Sequence, residues 1–191
     1  MICLFTLVAM KFLCAILLTS LLSFTQNDKG LIAWSPTYKL QWIDFMGSPT
    51  GSLKAMTWST IKIDDFKAEG KSITLKVSAG FIKNKSWKQK EVDAELLTHE
   101  QKHFDITEIY ARKLRKKISE TKFTSPKQAV QQIEQLSKEV FRESSAYEKK
   151  YDAETKHSII KPEQEKWNKK VEEELQHLNA YSNTQLNLTI K

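Results

Sequence analysis

The sequence has only two cysteines, Cys3 and Cys14, both near its start. The rest of the chain offers no disulfide and no thiolate, so any metal site there must be built from histidines and carboxylates. Histidine is itself scarce, at four residues. There is no internal repeat, no interdomain linker, and no nucleic-acid or wall-binding motif. Long apolar runs are also missing, with one exception at residues 12–24, directly after Lys11.

That exception has the layout of a secretory signal peptide: one cation, an apolar stretch, then the small residues Ser23 and Thr25. With Met10-Lys11 as the natural start, the run is about 13 residues, short of the ~20 that span a bilayer. Cys14 lies too early, and lacks the small preceding residues, for a lipid anchor. Residues 1–25 are therefore expected to be removed, giving a secreted or periplasmic protein with no stable membrane insertion after cleavage. N-terminal sequencing of material from the native host should find Gln26 or a close neighbour at the start. An intact Met10 in a soluble cytoplasmic fraction would contradict export.

The chain carries 30 Lys+Arg against 23 Asp+Glu. Without Lys11 the balance is +6, which raises the question of anionic partners. The lysines, however, are spread among glutamates, as in Lys166, Lys169 and Lys170 beside Glu172 and Glu173. This is the pattern of a solvated helix face, and no nucleic-acid partner is expected.

The pattern changes near residue 90. Before it, residues 40–45, 55–63 and 71–82 read as strands. The last has Ile73, Leu75 and Val77 on one face and pairs antiparallel with its predecessor across the turn at residues 68–70. After it, a helix over residues 92–118 carries Ile106, Tyr110, Leu114 and Ile118 at a spacing of four. A second helix begins at Ser125-Pro126 and runs to about residue 151, with Val130, Ile133, Val140, Tyr147 and Tyr151 inward. A third begins near Pro162 and buries Trp167, Val171, Leu175 and Leu178. Residues 182–191 read as a polar, frayed tail. The expected class is α+β, a small antiparallel sheet followed by three helices, in one domain over residues 26–181.

The informative segment starts at His99-Glu100, with His103 four residues on. On a helix the two histidines lie about 40° apart around the axis, so both imidazoles reach one ion. Glu100 is about 100° from His99 and about 60° from His103, too far round to ligate easily but near enough to reach water at the ion. H-E-x-x-H carries chemistry for that reason: two neutral nitrogen ligands, an open metal position, and a carboxylate that takes the water's proton. The expected cofactor is zinc and the expected base is Glu100.

The sequence also resembles the bacterial predicted secreted Zn-dependent proteases. The residues that carry the resemblance are 40–47, Ala55-Met56-Thr57, Ser86-Trp87, the run from Leu97 to Ile106, and the run from Tyr151 to His157, followed by Gln164 and Trp167. One departure is Ser158, where relatives tend to have glycine. The resemblance implies a zincin-like fold, a peptidase activity and a peptide or protein substrate. In zincins an edge strand holds extended substrate by backbone pairing, and residues 78–87 are expected to border such a cleft.

A third ligand must come from elsewhere. Glu108 lies about 140° from His103 around the helix and cannot join; Asp105 points about 160° away and is expected to brace the helix. If the second helix folds back, its end returns beside His99 and brings Asp152 and His157. His157, in the loop, is favoured as the third ligand, with Asp152 as the alternative. Tyr151 and Tyr147 are candidates to donate a hydrogen bond in the transition state, although tyrosines at helical spacing more often pack in a core. His177 reads as surface. The rival to a hydrolase is a non-catalytic zinc-binding module in an envelope complex.

Overall fold

The computed structural model describes residues 30–191, and the expected signal peptide lies outside them. The centre of the sheet is β4, Ser72–Ile82. Every second residue of it, from Ile73 to Phe81, is buried on one face. Strand β3, Ser59–Glu69, pairs antiparallel with one edge of β4. The two-residue turn between them uses Gly70 at φ +57°, a backbone state that costs glycine nothing. On the other edge of β4 lie β1, Leu31–Ala33, and β6, Gln185–Thr189, both antiparallel. Short β2, Ala55–Met56, and β5, Trp87–Lys88, form a separate two-stranded pair.

Helix α1, Ala94–Glu120, packs its Ile106–Tyr110–Leu114–Ile118 row against that buried face of β4. Asp93 caps its start, accepting from the Leu96 N–H at 2.8 Å. Helix α2, Pro126–Thr155, begins as expected with Ser125 accepting from the Gln128 N–H. Helix α3, Lys161–His177, buries Trp167 and Val171. Helices α2 and α3 cover the side of α1 that the sheet does not. The architecture is α+β, a small antiparallel sheet with three helices. No helix among the described residues is long and apolar enough to cross a membrane.

Four local expectations change. Residues 40–45 are not a strand. Leu40 and Phe45 are buried, but the Leu40 N–H goes to the Gln101 side chain and Asp44 accepts from the Gln41 N–H, which folds Trp42–Asp44 into a 3-10 turn. The 55–63 strand breaks at Thr57-Trp58, whose polar groups turn to Glu100 and Ser86. The segment after Ser182 does not fray: it forms β6, with Leu186 opposite Leu75. Val130 is half exposed and not inward.

Because both sides of α1 are covered, its polar residues are buried, and each needs a partner. Asp105 accepts from Trp34 Nε1 and Gln101 Nε2, both at 2.9 Å, and so braces the helix. Glu108 pairs with Arg112 at 2.9 Å and with Arg115 at 2.5 Å. Arg115 also donates to the Val77 and Tyr181 carbonyls, tying α1 to the sheet and to the segment before β6. Glu108→Ala strands two buried guanidinium groups. It should cost about 3–5 kcal/mol of unfolding free energy in a urea titration; a loss below about 1 kcal/mol would show that water replaces the carboxylate.

Candidate metal centre

His99 and His103 sit in the first turns of α1, and their Nε2 atoms are 3.1 Å apart. Asp152, near the end of α2, puts Oδ1 3.1 Å from the first and 3.0 Å from the second. These three atoms form a nearly equilateral triangle. Four donors at about 2.05 Å from a tetrahedral zinc lie about 3.3 Å from one another, so the triangle has close to the size of one face of that tetrahedron.

The opposite ring nitrogens fix the tautomers. Gln164 donates through Nε2 to the Tyr151 hydroxyl at 2.7 Å and to Asn168 Oδ1 at 2.8 Å, so its Oε1 must accept from His99 Nδ1–H, at 2.9 Å. His103 Nδ1–H donates to the Glu148 carboxylate. Both Nε2 lone pairs are thereby left facing each other and Asp152, an arrangement that calls for a cation between them. Without a metal the cation is a proton. Burial works against the charge on His103, but the carboxylates of Glu148, Asp152 and Glu100 outweigh it and hold its pKa well above the usual histidine range. Burial would raise Asp152, yet hydrogen bonds from His103 and His99 hold it well below the usual carboxylate range. Burial pushes Glu148 up, with His103 opposing. A metal must displace the His103 proton, so apparent zinc affinity should fall as the pH is lowered.

Glu100 is 3 % exposed, and its Oε2 has no hydrogen-bond partner. Among the described residues only one other buried side-chain atom, Gln132 Oε1, shares that state. A bare buried carboxylate oxygen is costly, and here it lies close enough to add to the field at His103.

His157 lies just past α2. Its Nδ1 is 3.2 Å from the same Asp152 oxygen, and its side chain is about half exposed. Lys156, His157 and Ser158 all have positive φ, at 46°, 53° and 73°. Three such residues in a row cost about 1–2 kcal/mol each without glycine. Asp152 and His157 line an open depression of about 440 Å³ together with Lys149 and Lys156. On the other side His103 and Glu148 line a larger groove of about 750 Å³. The wall of that groove is the start of β3, not residues 78–87.

Tyr151 is fully buried, stacked on His99 at 4.5 Å between ring centroids. Its proton is committed to the His99 carbonyl at 3.2 Å, and burial pushes its pKa up. In this arrangement it shapes the cluster and has no proton to donate to a substrate. Tyr147 is likewise committed, to Glu174. The chemistry of the sequence does not single out Glu148 and Gln164 as site residues. They come 45 and 65 residues after the histidines they orient, and helix spacing does not connect them. Glu148→Ala should weaken zinc binding about 10–100-fold in a chelator competition; an unchanged affinity would mean that the Glu148 contact does not orient His103.

The fold and this cluster describe an α+β protein with two histidines and an aspartate converging beside a buried glutamate. Residues 82–158 match the family model described as "Bacterial protein of unknown function (DUF922)". The match runs from the end of β4 to the loop after α2, and so takes in His99, Glu100, His103, Glu148, Asp152 and His157 but not Gln164. No curated protein and no solved structure matches.

Proposed function

We propose that this protein is an exported zinc-dependent metallohydrolase that cleaves peptide bonds. His99, His103 and Asp152 would hold the ion, and Glu100 would serve as the base. The observation that carries the reading is the Nε2–Nε2–Oδ1 triangle of 3.0–3.1 Å beside the unpartnered Glu100 oxygen. Two neutral nitrogens and one carboxylate suit zinc and leave one position open, as in hydrolytic sites. When bound, zinc acts as a Lewis acid that polarises a carbonyl and makes water at the open position easier to deprotonate.

The chain's own residues do the rest. Gln164 and Glu148 hold the Nδ1 protons, so that His99 and His103 keep their Nε2 lone pairs for the ion. Glu100 takes a proton from the attacking water at Oε2 and returns it to the leaving amine nitrogen, so water and amide become acid and amine. The free edge of β3 beside His103 suits an extended substrate. Zinc content and casein-type proteolysis of the wild type beside Glu100→Gln test the reading. Zinc with no proteolysis in either protein would contradict it.

A second reading has one observation in its favour. His157 Nδ1, 3.2 Å from Asp152 Oδ1, is a fourth donor. Four protein ligands close an ion and make it structural, as in a non-catalytic zinc-binding module of the cell envelope.

A further inference from the structure

The 750 Å³ groove has a definite construction. One wall is the start of β3 with Thr57 and Trp58, the other is the face of α2 between Glu134 and Glu148, and α1 forms the floor through His103, Thr107 and Leu114. Among the described residues β3 pairs with β4 alone, which leaves its outer edge free. Trp58 accepts from the Ile82 N–H at 2.8 Å, and antiparallel pairing alternates. Ser59, Ile61 and Ile63 therefore turn their backbone N–H and C=O groups outward, ready to pair with an extended chain.

Two large apolar side chains stand exposed on opposite walls, Ile63 on the strand side, on the same face of β3 as Ser59, which meets Thr107 of α1, and Phe141, 72 % exposed, on the helix side. The charges are unbalanced. Glu134 is paired with Lys138 at 2.6 Å and Glu148 with His103, whereas Arg142 makes no salt bridge among the described residues, Glu139 feeling its charge only from farther off. The groove also has a direction. His103 and Glu148 mark its cluster end; Leu114, Ile63 and Glu134 mark the far end. Along α2 that is about 21 Å, room for roughly six residues of extended chain.

We infer that this groove binds an extended peptide, with a large apolar side chain between Ile63 and Phe141 and an acidic group at Arg142, both on the same side of the bond that reaches the His99–His103–Asp152 cluster. The inference rests on the hydrolase reading for which bond is cut, but not for the binding.

The test uses zinc-loaded, full-length mature protein carrying Glu100→Gln, so that bound peptide is not consumed. Fluorescein-labelled hexapeptides containing neighbouring Phe and Glu are titrated by anisotropy against the same peptides with Ser for Phe or Gln for Glu. Loss of the Phe should weaken binding about ten-fold or more. Loss of the Glu should weaken it several-fold, and Arg142→Gln should erase that difference. Phe141→Ala should remove the Phe preference while zinc content and thermal midpoint stay as they were. Absence of binding, equal binding of all the peptides, or unchanged preferences in Phe141→Ala would overturn the inference. So would a dimer by sedimentation that Phe141→Arg dissolves, since the groove would then face a second copy. Selective binding without hydrolysis by the wild type would sink the hydrolase reading and leave the groove; hydrolysis without these preferences would do the reverse.

Discussion

Glu100→Gln is expected to keep its zinc and its fold while hydrolysis falls about 10²–10⁴-fold, the usual cost of losing a general base. The substitution preserves shape, and the side chain is 3 % exposed, so the packing of α1 is not disturbed. What changes is the proton chemistry at Oε2, the buried oxygen that nothing in the protein satisfies. An amide there cannot take a proton. It also removes a buried carboxylate oxygen that has no hydrogen-bond partner, so thermal stability should hold or rise. Activity and stability then move in opposite directions, the mark of a group kept for function. Hydrolysis unchanged by the substitution would remove Glu100 from the mechanism and favour the binding-module reading.

The second large effect is at Asp152. Its Oδ1 is within 3.2 Å of three imidazole nitrogens, those of His99, His103 and His157. Asp152→Ala removes one corner of the ligand triangle and leaves Glu148 as the one carboxylate bonded to His103 among the described residues. It should abolish stoichiometric zinc, and with it the stabilisation that a metal bound only to the folded state supplies, about 4 kcal/mol at a thousand times its dissociation constant. His157→Ala, at a half-exposed loop residue outside the triangle, should weaken zinc no more than about 10–100-fold. Chelator competition on both variants reads the order directly. The reverse order would restore His157 as the third ligand, the choice that sequence alone favours.

That preference shows what helix periodicity can and cannot carry. The relation between His99, Glu100 and His103 is local and follows from 3.6 residues per turn. The Ser125 cap, the α1 stripe and the period-two alternation at Ile73, Leu75 and Val77 are local in the same sense, and all are present in the structure. The choice between Asp152 and His157 depends on how far α2 continues before its left-handed exit at Lys156, a matter of tertiary packing. Glu148 and Gln164 are invisible in the same way: each meets its histidine only because α2 and α3 fold over α1. Residues 40–45 mislead because buried apolar side chains fit a strand as well as a clamped loop. Gly47 approaches Ser86 so closely there that a Cβ would meet its carbonyl at 2.9 Å. The strand β6 was legible, since Leu186, Leu188 and Ile190 alternate, but the polar residues between them read as a tail.

The most direct measurement is zinc per chain by elemental analysis of purified wild type and His103→Ala, prepared identically after dialysis. One zinc in the wild type and none in the variant is the expected result. No zinc in the wild type, or about one zinc retained by His103→Ala, would contradict the metal centre at His99, His103 and Asp152.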